Sequence, residues 1–285
     1  MYLGFTEEQI RRYSRQIVLP GVGGKGQKRL LKAKVFLVGA GGLGSPAAIY
    51  LAAAGIGRLG ICDSDTVDLS NLQRQILHHT HDLGKSKVVS AAETIAEINP
   101  DVEVVQYAVR LSSENIMDII ADYDIVVEGS DNFQTKYLVN DACFLAVKPD
   151  VHAGILRFEG QLTVFIPGKG CLRCIWPEPP PPDMVPSCQE AGVLGALPGI
   201  VGALQATEVM KLILGVGTPL VGELLVFDAL GMEFYRAKCA RRHDCPLCGD
   251  DPIIKELIDY EQFCGIPSER CQTHKISSEA QWAER

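Results

Sequence analysis

The sequence predicts an α/β fold: a doubly wound, mostly parallel sheet with antiparallel strands near its C-terminal end. Three observations carry this expectation. Apolar, strand-length runs alternate with helix-period segments from residue 34 to residue 128, which is the pattern of strands linked by crossover helices. The first run, 35–38, breaks into Gly39-Ala40-Gly41-Gly42-Leu43-Gly44, a turn spaced as in Rossmann-like nucleotide-binding sheets. After residue 151 the helices thin out, and strand-like runs at 151–166, 223–227 and 233–237 follow one another around turns.

In chain order, Thr6-Glu7-Glu8-Gln9 fits a capping box opening a helix that runs on through Tyr13 and Ile17. Arg11, Arg12 and Arg15 would form its charged outer face. The strand at 35–38 leads through the glycine turn into a helix over 45–54, then a strand over 59–62 ending at Asp63. Asp63 lies 24 positions after Gly39, where an acid that holds a ribose is expected. Glycines permit a tight turn and close approach to phosphate, and the helix N-terminus offers free N–H groups to an anion. A helix over 87–98 stops at Asn99-Pro100, and a strand over 102–107 and a helix over 114–121 lead to a short buried strand ending at Glu128. Ser130-Asp131-Asn132 follows at a strand end, where such sheets bind ligands and where these residues also suit a helix cap. Strands within 151–166 should turn at Glu159-Gly160, with His152 a satisfied strand histidine. The segment 197–214 reads as a buried helix closing the core.

Composition narrows the class. The 285 residues are 47% hydrophobic and 22% charged, as in a globular chain with a sizeable core. A net charge of -8 argues against a general nucleic-acid binder. No secretory leader pattern is visible, and 191–206, the longest weakly polar region, is shorter than a membrane span. The expected compartment is the cytoplasm, so the 10 cysteines read as metal or redox residues rather than as a disulfide scaffold. Cys171-Leu172-Arg173-Cys174 and Cys245-Pro246-Leu247-Cys248 could fill the four positions of a structural zinc. Spacing alone leaves open a redox pair at one knuckle, or Cys239 and His243 as substitute ligands. Residues 176–186 hold six prolines and should form an exposed, semi-rigid loop ending near Cys188.

The glycine turn alone fits an NAD-dependent oxidoreductase as well as an ATP enzyme. Beyond Asp63 the chain reads Asp65, then Ser70-Asn71-Leu72-Gln73-Arg74-Gln75, then Gly84-Lys85-Ser86-Lys87. Hydride transfer has no use for these groups, whereas phosphate charge must be met by placed cations. This run resembles the ThiF/MoeB/HesA family, the bacterial relatives of ubiquitin-activating enzymes, over about residues 13–249.

The resemblance implies an ATP-dependent adenylyltransferase acting on the C-terminal Gly-Gly carboxylate of a ubiquitin-like sulfur-carrier protein of ThiS/MoaD type, ahead of thiocarboxylate formation. It implies that Gly39, Gly41, Gly42 and Gly44 admit ATP and that Asp63 and Asp65 serve the ribose side. Asn71, Arg74, Gln75 and Lys87 would surround the phosphates, and Asp131, with Asn132, would hold Mg²⁺. Arg12-Tyr13-Ser14-Arg15-Gln16 resembles the family's entry motif, so Arg15 would reach the nucleotide of the other subunit of a homodimer. The family holds one structural zinc on Cys171, Cys174, Cys245 and Cys248, and some relatives link a cysteine at the Cys188 position covalently to the carrier. Asp150 stands where the family suggests an apolar residue. Thiamine, molybdopterin and other sulfur routes use such enzymes, and the sulfur donor would be a separate protein. Other readings remain: adenylation of a peptide or tRNA-borne carboxylate, an oxidoreductase using Asp131 and His152, or a zinc-bearing adaptor. The expected organisation is one adenylation domain over 1–249, with a helical entry (1–33), a nucleotide-binding core (34–150) and a carrier-binding, zinc-bearing part (151–249). A polar tail follows over 250–285.

Overall fold

The computed structural model describes residues 4–180, 191–258 and 260. Its centre is an eight-stranded sheet in the order β3-β2-β1-β4-β5-β6-β7-β8. The strands are β1 (Lys34–Val38), β2 (Arg58–Cys62), β3 (Glu103–Tyr107), β4 (Ile125–Glu128), β5 (Asp150–Leu156), β6 (Glu159–Phe165), β7 (Glu223–Asp228) and β8 (Glu233–Lys238). Strands β3 to β5 pair in parallel, and β5 to β8 pair antiparallel. Successive side chains of β1 enter opposite faces: Val35 and Leu37 join one apolar cluster, Phe36 and Val38 the other. A strand covered on both faces needs a continuous apolar run, which is what 35–38 supplies.

The helices are α1 (Glu7–Arg12), α2 (Ser14–Ile17), α3 (Gly23–Lys32), α4 (Gly44–Ala54), α5 (Lys87–Ile98), α6 (Ile116–Ala121), α7 (Phe133–Leu145), α8 (Leu172–Ile175) and α9 (Ala196–Leu214). Helix α9 lies across α4, β5 and β6. Its length and composition would suffice to cross a membrane, longer than the sequence reading allowed. Here its polar residues face the fold: Gln205 Nε2 donates to the carbonyls of Glu128 (2.7 Å) and Val151 (2.9 Å), and Glu208 accepts from the Leu220 amide. It is a core helix of this sheet.

Three details differ from the sequence reading. His152, expected to be a satisfied strand histidine, is buried on β5 with no hydrogen-bond partner for Nδ1, which stands 3.3 Å from Glu128. The first helix is broken at Tyr13, which turns inward, fully buried, and accepts from Asn99 Nδ2 at 2.9 Å. The β5–β6 turn is Arg157-Phe158, with Arg157 left-handed at φ 54, and not Glu159-Gly160. Gly160 pairs within β6, and a Cβ there would stand 2.5 Å from Val201 Cγ2 of α9. The glycine is needed for helix–sheet approach, not for a turn. Cys188 and residues 261–285 lie outside the described residues; Leu257 and Ile258, ahead of them, pack on the second apolar cluster.

Candidate nucleotide site and cysteine centre

Strand order reverses at β1, so the loops leaving β1 and β4 open a crevice at the carboxyl end of the sheet. Gly39 is left-handed at φ 90, and a Cβ at Gly44 would sit 1.9 Å from the Gly39 carbonyl oxygen. A side chain would be strained at Gly39 and would collide with backbone at Gly44. A Cβ on Gly39 would stand 3.1 Å from the Gly129 carbonyl, so the glycine loop lies against the turn that carries Asp131.

The loop after β2 brings the other groups to the same crevice. Asp63 Oδ2 accepts from the Ala40 amide and Oδ1 from the Asp65 amide, both at 2.9 Å. A carboxylate has about four acceptor positions, so lone pairs remain for hydroxyls. Lys87, buried at the start of α5, donates to Asp65 at 2.9 Å and lies 3.8 Å from Asp63. Asn71 closes a capping box with Asp68, and Arg74 donates to the Ser70 carbonyl at 3.0 Å. Gln75 Nε2 lies 3.7 Å, and Arg74 Cδ 3.6 Å, from where side chains on Gly41 and Gly42 would begin. Glycine keeps that space open beneath them.

The Asp131 turn is braced from below. Glu128, fully buried at the end of β4, accepts from the Ser130 amide (2.7 Å), from the Ser130 hydroxyl and from Lys136 Nζ (2.6 Å). Asn132 caps α7 through the Thr135 amide at 2.9 Å, which leaves Asp131 exposed at the mouth of the crevice. Capping and exposure fall to neighbouring residues. Arg15 lies exposed on α2.

Some residues at this site had no sequence signal. His78 Nε2 donates to the Ala40 carbonyl at 2.9 Å, and Nδ1 lies 2.8 Å from Ser90 Oγ, which also reaches Asp82 at 2.9 Å. The ring braces the glycine loop, and burial holds the His78 pKa below its ordinary value. The motif 78–82 reads only as a polar loop, and the partners come from three separate segments.

A ThiF family model matches residues 13–247. The chain belongs to the ThiF family. Within it, the chain is 50% identical over 268 residues to a sulfur carrier protein adenylyltransferase of Thermus thermophilus, covering 92% of this chain and 99% of that one. It is also 50% identical over 266 residues to the probable adenylyltransferase/sulfurtransferase MoeZ of Mycobacterium tuberculosis, and 49% over 276 residues to the adenylyltransferase and sulfurtransferase MOCS3 of Sus scrofa. These matches take in 92% and 96% of this chain but only 66% and 61% of those longer relatives. Among solved structures, E. coli MccB has the same fold, with a TM-score of 0.75 at 23% identity over 87% of this chain and 76% of that one.

Away from the crevice, this ThiF-family chain gathers its two Cys-x-x-Cys pairs. All four sulfurs lie within 4.8 Å of one another and are buried; Cys171 and Cys245 are 3.6 Å apart, Cys174 and Cys248 3.3 Å. Zinc–sulfur bonds of about 2.3 Å put tetrahedral sulfurs roughly 3.8 Å apart, so the donor set fits that ion. The hydrogen bond with Cys171, before any other cause, lowers the Cys248 pKa below the ordinary thiol value. Cys239 stays outside the cluster, and His243 pairs with Asp250 at 2.8 Å. Arg173, between the first two cysteines, is fully buried on Asp141 through Nε (2.9 Å) and Nη2 (2.7 Å), and Tyr260 adds a hydrogen bond to Asp141 at 2.6 Å.

Proposed function

We propose that this chain adenylates the C-terminal carboxylate of a ubiquitin-like sulfur-carrier protein with ATP. The observation that carries this is the convergence of the glycine loop, the 63–75 loop, Lys87 and Asp131 at the carboxyl ends of β1, β2 and β4. Half-identity to the Thermus carrier adenylyltransferase over nearly its whole length supports the substrate class.

A carboxylate is a poor acyl donor because oxide would have to leave. One carboxylate oxygen attacks the α-phosphorus of ATP, the bond to pyrophosphate breaks, and the product is an acyl-adenylate with AMP as leaving group. The protein supplies position and charge. Gly39, Gly41, Gly42 and Gly44 admit the nucleotide, Asp63 and Asp65 take the ribose side, and Asn71, Arg74, Gln75 and Lys87 hold the phosphates. Arg15 of a second copy completes the site in a homodimer. Asp131, with Asn132 beside it, would hold Mg²⁺, which neutralises phosphate charge. Hydrosulfide delivered by a separate sulfur donor then attacks the acyl carbon; the carbon–sulfur bond forms as the bond to AMP breaks, AMP leaves, and a thiocarboxylate remains. Cys188 is the residue to test for a covalent link to the carrier.

Zinc on the four cysteines is structural, because a closed four-sulfur site leaves no position for substrate. Residues 1–249 act as one adenylation domain, and the reduced cysteines suit the cytoplasm. An oxidoreductase would leave Arg74 and Lys87 unused. Intact-mass spectrometry of a Gly-Gly carrier incubated with the enzyme, ATP and Mg²⁺ tests the reading. An AMP adduct on the carrier is expected, and an unmodified carrier with every candidate tried would overturn it.

A further inference from the structure

Among the described residues, a second cluster brings metal-ligating atoms together: His79, His81 and Asp82, all within 4.8 Å of one another. They sit on the one-turn helix Thr80–Asp82 and its N-cap, in the loop that carries Gln75 at one end and Lys87 at the other. The two imidazoles lie parallel, with ring centroids 5.2 Å apart and planes 10° apart. His79 Nδ1 is 3.5 Å from one oxygen of Asp82, and His81 Nε2 is 3.6 Å from the other. A metal bound at about 2.0–2.2 Å holds tetrahedral donors roughly 3.3–3.6 Å apart, so each imidazole already stands at ligand distance from one of the two carboxylate oxygens.

We infer that His79, His81 and Asp82 form a second metal site, separate from the four cysteines, for a divalent first-row transition ion such as zinc or nickel. Two imidazoles and a carboxylate suit this class, whereas Mg²⁺ and Ca²⁺ prefer oxygen-only sets. The ligands divide into a fixed part and an adjustable part. Asp82 is buried and anchored by Ser90 Oγ (2.9 Å) and the His79 amide (3.0 Å). His79 and His81 are exposed and free to turn their rings onto an ion. One cation already competes: Lys85 Nζ donates to Asp82 at 2.7 Å and also reaches Glu93 at 2.5 Å. An incoming metal would displace Lys85 from Asp82, and Glu93 remains to hold the ammonium. Bound metal would clip the loop between Gln75 and Lys87.

The test is a calorimetric titration of zinc-replete protein with Ni²⁺, with zinc content read by elemental analysis before and after. The cysteine centre is then already filled, so one further equivalent of Ni²⁺ is expected in the wild type. The double variant His79→Ala/His81→Ala should lose that equivalent and keep its zinc. Lys85→Met removes the competitor and should lower the Kd for Ni²⁺. Three results would overturn the assignment: no saturable uptake by the wild type, equal uptake by the double histidine variant, or an unchanged Kd in Lys85→Met.

Discussion

Lys87 Nζ donates to the Asp65 carboxylate at 2.9 Å, across a sequence separation of 22 residues. The lysine is buried, and both anions near it, Asp65 and Asp63, come from the loop after β2. An ammonium held this way is oriented before ATP arrives and can face phosphate without searching for a conformation. Lys87→Met should lower ATP–pyrophosphate exchange by about 10²–10³-fold, the usual loss when one preorganised charge-stabilising donor is removed. Asp65→Asn, which leaves the lysine in place, should lose much less. Steady-state exchange rates for the two variants check this ordering.

The Arg173–Asp141 pair should matter for folding and not for chemistry. Both side chains are buried, and breaking such a pair leaves one charge without its partner at a cost of about 3–5 kcal/mol. Urea unfolding of Arg173→Ala should show a loss of that size. Tyr260→Phe, which removes one hydrogen bond to the same carboxylate, should lose about 1.5–3 kcal/mol.

Removal of the metal should act on the same region. Cys171→Ser, or prolonged chelation, is expected to abolish bound zinc and lower the melting temperature. ATP affinity of the protein that remains folded should be unchanged, because among the described residues none of those proposed to hold ATP packs in the cysteine cluster. Elemental analysis with a thermal melt and an ATP titration separates these effects.

Asp150 carries a pH dependence of definite sign. It is buried, and neither of its oxygens has a hydrogen-bond partner among the described residues, His152 Nδ1 standing 4.0 Å from one of them. It lines a cavity of about 10 Å³ with Asn140, Cys143 and Cys171. Burial first, and then the nearby Glu128, push its pKa well above the ordinary carboxyl value, so the folded protein keeps a proton that the unfolded chain releases. That difference destabilises the fold increasingly as pH rises above about 3.9, the unfolded value, toward the folded one. Asp150→Asn has the shape of the acid and no proton to lose. It should raise the melting temperature at pH 8 more than at pH 5. An equal shift at both pH values would contradict the account.

Much of the architecture was legible because its signals are local. The run 35–38, the glycine turn and Asp63 lie within one stretch, and each local preference agrees with the parallel sheet. The resemblance carried Asp131 and the residues proposed to hold the phosphates, whose side chains the fold brings to one crevice. What the sequence hid is non-local. Gly160 looks like a turn because the demand on it comes from Val201 in a helix about forty residues on. Tyr13 breaks its helix because of Asn99, 86 residues away. Nothing in the spacing of Asp141 and Arg173 announces their pairing, and His78 gains its role only when Ala40 and Ser90 close around it. Burial also explains Asp150 in part: the residue is polar by sequence and sits at a core position of β5.

The most direct test of the central claim is ATP–pyrophosphate exchange measured with each small Gly-Gly-ending carrier protein of the source organism, in wild type and Asp131→Ala. Asp131 is exposed, so its loss should leave the fold intact. The account predicts exchange with at least one carrier and its loss in the variant, by about 10²-fold or more. No exchange with any carrier by a protein that binds ATP, or full exchange in Asp131→Ala, would contradict it.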